Sequence, residues 1–334
     1  MKPRSHENPD PEAAGNSDRP DAIELHIHLE GALTARRALS LLRSATDVPR
    51  DFPEGSITDP HDEPRWSFGS LRGFLEAFGW ASRQLRSAEA YVAVLDDLVS
   101  SFRAQQIVAA EVFVAFGQMH RGEIDPAAIV PALALRAKEI EEAGGPAIHF
   151  IADATRNWGV AAADRALDAA LDLQEHRIVG FGMGGIETSV RARDFEKVYR
   201  RAAEAGLGLS CHAGEGTTAD AVREVVEELG VRRVGHGIAA AQDERLMREL
   251  RDEDVVLEVC PTSNEKTGVW DASTPHPLSK LLEFGVPVVL GSDDPAYFGC
   301  TLRSEIERVR SWGIEADAVD DMIRRAFEVR FTGS

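Results

Sequence analysis

The sequence predicts an α/β chain folded as a (β/α)8 barrel of the TIM type, with a helical insertion after strand 1 that caps the active site. Three observations predict it. Short apolar runs alternate with stretches of helical period, eight such runs occur between residues 23 and 292, and the first is not followed by a glycine fingerprint. Strand–helix alternation implies a parallel sheet covered by helices. Eight units favour a closed barrel over an open sheet, and an open dinucleotide-binding sheet would show GxGxxG after its first strand, where this chain has Leu29-Glu30-Gly31-Ala32-Leu33.

The predicted strands are 23–28, 107–113, 147–152, 178–183, 208–212, 233–236, 255–260 and 286–292. Helical stretches such as 195–205, 219–229 and 243–251 precede later strands, and Gly206, Gly230 and Gly285 stand where helix C-caps are needed. One connection is abnormal. About 78 residues separate strand 1 from strand 2, far more than a usual βα loop. Helical pieces are expected at 34–42, 71–85 and 88–105, around a centre at 50–68 rich in Pro, Asp and aromatic residues. Residues 31–105 therefore read as a helical cap over the barrel mouth. Residues 1–20 carry almost no bulky apolar side chain and read as a disordered tail, which leaves 21–334 as a single domain.

The composition narrows the function. The chain has 334 residues with 37 Lys+Arg against 56 Asp+Glu, a net charge of −19. Such acidity disfavours nucleic-acid backbones and anionic membranes. No apolar run nears the ~20 residues of a membrane span, and no signal core opens the chain. Three cysteines make no disulfide framework, so a reduced, cytoplasmic protein is expected. Oligomeric state, monomer or homodimer, is left open.

Polar residues gather at the predicted strand ends, where barrel active sites sit. His26 and His28 end strand 1, and residues i and i+2 of a strand share a face, so both imidazoles can serve one metal. His212 ends strand 5 and Asp293 ends strand 8 at the same rim. Three imidazoles and a carboxylate make a zinc-type set with room for water, and such a metal lowers the pKa of water toward about 7. Glu215 reads either as a general acid/base or as a helix N-terminal carboxylate. His236, between Gly235 and Gly237, reads as a site histidine rather than a core one. Asp294 beside Asp293 needs a metal or a proton to relieve repulsion. The run from Gly180 to Glu187 lacks the Lys-Ser/Thr of a phosphate loop; its glycines either admit a flat ligand to the backbone or make a tight turn. Cys260-Pro261-Thr262-Ser263-Asn264 offers polar support after strand 7, or a plain turn.

The ordered motifs LHIHLEGAL, HAGE, GHG, CPTSN and SDDP resemble those of the adenosine deaminase family of the amidohydrolase superfamily. The resemblance runs from about Asp21 to Phe331. It implies one Zn2+ per chain on His26, His28, His212 and Asp293, and hydrolytic deamination of a 6-aminopurine. It further implies that Glu215 protonates ring nitrogen N1, that His236 orients the attacking water and assists its deprotonation, that Asp294 holds that oxygen and contacts N7, and that the Gly185 amide meets N3. Glu30 stands where nucleoside deaminases carry a ribose-binding Asp, and Ile186 replaces an acidic residue common in the adenine branch. Adenosine and 6-aminodeoxyfutalosine are the first expected substrates and free adenine the third. The expected partner is thus a small aminopurine, with no nucleic acid and no membrane. Two other readings compete. A two-metal amidohydrolase would want a bridging Lys or carboxylate on strand 4, and 178–183 has none. A non-catalytic nucleoside-binding protein would have lost a ligand or the acid, and all are present.

Overall fold

A computed structural model describes residues 21–44, 56–58 and 63–332. The expected tail at 1–20 lies outside the described residues, as does part of the 50–68 segment.

Eight parallel strands run in sequence order around the core: β1 (Ala22–His28), β2 (Ile107–Val114), β3 (Ala147–Thr155), β4 (Ile178–Gly184), β5 (Gly208–Ala213), β6 (Arg233–His236), β7 (Val256–Val259) and β8 (Val288–Leu290). All eight expected strands form. The last two are shorter than the apolar runs that predicted them, because those runs continue into the buried turns at both strand ends. The barrel closes through a parallel bridge between Ile27 and Asp293. There His28 N donates to Asp293 O and Asp293 N donates to His26 O, both at 2.9 Å. The seam thus passes between three of the expected metal ligands. Around the strands, helices such as Pro126–Glu142, Val160–Asp172 and Ala219–Leu229 bury their apolar faces. The first starts with Asp125 accepting from Ala127 N and Pro126 at a position that needs no N–H.

The stretch between β1 and β2 holds α1 (Ala35–Ser44), a two-stranded hairpin (Ile57–Thr58 with Arg65–Trp66), α2 (Leu71–Ser82) and α3 (Ala88–Gln105). Ser70 and Ser87 cap the last two helices by accepting from Gly73 N and Ala90 N. The Trp66 indole donates to Leu33 O at 2.8 Å and its ring stacks on Tyr297 at 4.6 Å, tying the hairpin to the barrel. Leu71, Phe74, Leu75 and Phe78 of α2 face the cavity at the mouth. Among the described residues, no helix is long and apolar enough to cross a membrane.

The floor of the barrel is charged. Arg233 is buried between Glu111 of β2 and Glu258 of β7, with ion pairs to both. The Phe331 ring lies 4.0 Å from the Arg233 guanidinium, and Thr332 N donates to Glu111 Oε1 at 3.0 Å. Gly208 admits that ring, since a Cβ there would stand 2.1 Å from it.

Candidate active site

Strand alternation turns His26 and His28 into the barrel mouth together, as their spacing predicts. The His28 and His212 Nε2 atoms face each other at 3.3 Å. Asp293 Oδ1 lies 3.6 Å from His26 Nε2 and 3.4 Å from His28 Nε2, while its Oδ2 is 3.8 Å from His236 Nε2. Ligand atoms of His26, His212, His236 and Asp293 lie within 4.8 Å of one another, and a second group joins His28, Asp293 and Asp294. Asp293 is common to both groups. The structure therefore brings the four expected ligands to one point and adds His236 beside them. His236 and Asp293 both hold left-handed backbones, with φ of 60° and 59°. Such conformations are costly for residues with a Cβ and gather at functional sites.

The arrangement is suited to a cation. His26 Nδ1 donates to Glu258 Oε2 at 2.7 Å, which leaves Nε2 facing the cluster as the nitrogen a cation would take in place of a proton. Among the described residues that Nε2 is buried with no hydrogen-bond partner, as are His212 Nδ1 and Asp294 Oδ1. Burial works against a charge on His26, yet Asp293 and Glu258 outweigh it and hold its pKa up at about 10. Burial likewise opposes the Glu258 charge, but Arg233 and His26 keep that carboxyl at about 2. The floor pair thus reaches the mouth through one carboxylate. Burial also lowers His28 and His236 to about 4, keeping both imidazoles neutral.

The carboxyls divide into two kinds. Asp293 keeps its charge despite burial, because His26, His236 and His28 face it. Burial and the neighbouring Asp293 push Asp294 well above the usual carboxylate range. Gly31 makes room for it, since a Cβ there would come within 2.2 Å of Asp294 Oδ1. Glu215 is raised well above its ordinary value by burial and by Asp293 and Glu187. Its Oε2 sits 3.9 Å from His236 Nε2. The residue lies in the loop before helix Ala219–Leu229, not in its first turn, so the helix-dipole reading does not apply.

The sequence reading missed several supports. Glu187 accepts from Gly214 N at 2.7 Å, Glu215 N at 2.9 Å and Thr217 Oγ1 at 2.6 Å, which fixes the loop that carries Glu215. Arg156 is buried and donates to His212 O at 3.0 Å. Asp153, on β3 opposite Gly182 of β4, lines the cavity with its Oδ1 unpartnered. Asn264 lies not in an irregular turn but in the short helix Pro261–Lys266, where its amide meets His236 Nδ1 at 3.2 Å.

Glu30 corrects an expectation. It is fully buried and is not among the residues that line the cavity. Its Oε1 accepts from Ala115 N at 3.1 Å, and the Tyr91 hydroxyl bonds to the same carboxyl. The turn that follows β1 seats the carboxyl just beneath the cavity lining, close enough for its charge to act on Asp294 and Asp153. Gly185 does line the cavity, with φ of 100°, beside Asn157 and Thr155. The cavity has a volume of about 1050 Å³ and runs from the histidines out to Arg72, Arg83 and Trp158.

Comparison with known proteins agrees with this architecture. The family model described as adenosine deaminase matches residues 21–332. An adenine deaminase of Chelativorans sp. (strain BNC1) is 30% identical over 92% of this chain and 96% of its own length. An aminodeoxyfutalosine deaminase of Streptomyces coelicolor is 30% identical over 92% of this chain and 79% of its own. Among solved structures, an adenine deaminase from Arthrobacter aurescens superposes with a TM-score of 0.84 at 27% identity, covering 95% of each chain.

Proposed function

The chain belongs to the adenosine deaminase family and is a hydrolytic deaminase with an amidohydrolase-type fold; from that premise we propose that it deaminates a 6-aminopurine carrying a sugar-sized substituent, of the adenosine or 6-aminodeoxyfutalosine kind. The observation that carries this reading is the cavity. At about 1050 Å³ it greatly exceeds a bare purine, and its lining includes Arg72, Arg83, Asn157 and Thr188, groups able to meet hydroxyls or an anionic tail. A second reading, free adenine, draws on Glu30, which leaves no β1 carboxylate in the cavity to hold a ribose, and on the adenine deaminase relatives.

In this proposal His26, His28, His212 and Asp293 hold one Zn2+. The donor set fits, because buried imidazole nitrogens without a protein partner face a carboxylate that stays ionised. A divalent cation there supplies Lewis acidity that makes water a competent nucleophile near neutral pH. The protein's own groups do the rest. Glu215, held protonated by its surroundings, donates to a ring nitrogen and makes the amine-bearing carbon electrophilic. A bound cation would bring Asp294 back from its raised pKa to the ionised form, and that carboxylate would take the proton of the attacking water and pass one to the leaving amine. The Gly185 amide and Asp153 hold the flat ring against the β3–β4 edge. Helix α2, whose Leu71, Phe74, Leu75 and Phe78 line the cavity, acts as the cap that excludes bulk water, while α3 packs on helix Pro126–Glu142 and β2 in the barrel wall.

Ammonia release across adenosine, 2′-deoxyadenosine, 6-aminodeoxyfutalosine and adenine tests the reading. Turnover of a substituted purine at least about tenfold above adenine is expected. Preference for adenine would move the assignment to the second reading, and activity that survives chelation and metal analysis at zero would remove the zinc.

A further inference from the structure

We propose that His236 presents an Nε2–H to the active site, and that this tautomer is dictated from outside by a relay running from the Leu278 backbone through His276 and Asn264. The proposal rests on the deaminase reading only for its chemical consequence; the tautomer itself follows from the hydrogen-bond chain.

The chain has one unambiguous end. Leu278 N is a backbone amide and can only donate, and it lies 3.0 Å from His276 Nδ1. His276 Nδ1 is therefore an acceptor, and the proton of the neutral ring sits on Nε2. His276 Nε2 is 3.4 Å from Asn264 Oδ1, so it donates there. That fixes which end of the Asn264 amide is oxygen, a choice otherwise left open by two atoms of similar size. Asn264 Nδ2 then donates to His236 Nδ1 at 3.2 Å. With Nδ1 accepting, the neutral His236 ring must carry its proton on Nε2. All three side chains are buried, so water does not compete along the path. Burial and Arg308 push the His276 pKa down to about 3, which keeps the first ring neutral. Its ring is clamped in place, stacked on Trp312 at 5.0 Å and edge-on to Trp270 at 4.8 Å.

Two consequences follow. An Nε2 that bears hydrogen has no lone pair for a metal, so His236 is not a ligand although it stands within 4.8 Å of His26, His212 and Asp293. His26 is its opposite: its Nδ1–H donates to Glu258, so Nε2 is the nitrogen a cation would take in place of a proton. Nor can His236 Nε2 accept a proton from water. It is a donor, aimed at the space beside Asp293 and Glu215, and it stabilises negative charge developing on the attacking oxygen. The proton of the attacking water then goes to Asp294, whose carboxyl a bound cation would hold ionised. Asn264 and His276 are positioning residues that act through His236.

The test is nitrogen NMR of the Zn2+-loaded enzyme with ¹⁵N-labelled histidine, with His236 assigned from the spectrum of His236→Gln. The Nε2–H pattern is expected for both His236 and His276. In Asn264→Asp the new carboxylate only accepts, so His236 should switch to Nδ1–H, with kcat lowered about 10²-fold or more and KM little changed. In His276→Phe, which keeps the stack on Trp312, the amide is free to turn and His236 should show both tautomers. An Nδ1–H pattern at His236 in the unmodified enzyme overturns the relay, as does an unchanged His236 pattern in Asn264→Asp. The spectrum of the unmodified enzyme decides even if a variant fails to fold. It needs no substrate, so failure of all four purines to turn over would sink the deaminase substrate reading and leave the relay standing.

Discussion

The two ends of the barrel treat buried charge in opposite ways. At the floor, Arg233 meets Glu111 and Glu258, Phe331 covers it, and Thr332 N takes a remaining oxygen of Glu111. At the mouth, His26 Nε2, His212 Nδ1, Asp153 Oδ1 and Asp294 Oδ1 are equally buried and have no partner. Paired charges can hold a structure together, whereas unpaired ones cost free energy that only a ligand returns. The difference sets the charged floor apart from the charged mouth. Glu258 joins the two ends, because it accepts from both Arg233 and His26.

Variants can break this comparison, the largest effect first. Asp294→Asn should cut kcat by about 10³-fold or more, as expected for loss of a proton-transferring group. It should leave the thermal midpoint unchanged or raised, since the carboxyl sits beside Asp293 without compensation. A large fall in that midpoint would erase the distinction between the two ends. Arg233→Met should do the reverse. Removing one partner of a buried network typically costs about 3–5 kcal/mol, and denaturant titration would show it as a lower midpoint at similar slope. Lost activity at full stability would instead place Arg233 in the site.

Glu30→Gln sharpens the comparison on a smaller scale. Burial raises the Glu30 pKa from 4.5 to about 7, so the folded state keeps a proton that the unfolded chain gives up. Its contribution is complete below pH 4.5, declines as pH rises toward 7, and is absent above. The loss is at most about 3 kcal/mol. Gln keeps the acceptor for Ala115 N and removes the titration. The stability of the variant relative to the parent should therefore climb across that window, with KM little changed. A raised KM would restore Glu30 to the substrate.

The mouth was legible in the sequence and the floor was not. His26, His28, His212, His236 and Asp293 each close an apolar run, so strand assignment alone brings them to one rim. Glu111, Arg233 and Glu258 lie inside or beside such runs, and the pairing of Arg233 with Glu111 spans 122 positions. Polar residues facing inward at the same height of a barrel leave no spacing signal. Glu187 was visible within the glycine-rich run, but its task, receiving the N–H groups of a loop 27 residues later, depends on where β4 and β5 end. Glu30 was expected at the substrate only because it stands where the family resemblance puts a ribose-binding Asp, and the structure turns its carboxyl to Ala115 N instead. The helices of the insertion were legible from period and capping residues, and the fit of α2 over the cavity required the tertiary structure.

The seam between Ile27 and Asp293 also has a meaning in time. It joins residues near the start of the chain to residues near its end, so the first strand finds its second neighbour only after the whole barrel has been made. A chain still being synthesised owns the two imidazoles of β1 long before it owns the carboxylate. Distant pairings of this kind are late and slow steps in folding. Maturation therefore has an order: Asp293 must be made, the ring shuts, and only then are the four candidate ligands together. Whatever ion it takes up would hold the ring shut in turn, by mass action on the folded state alone.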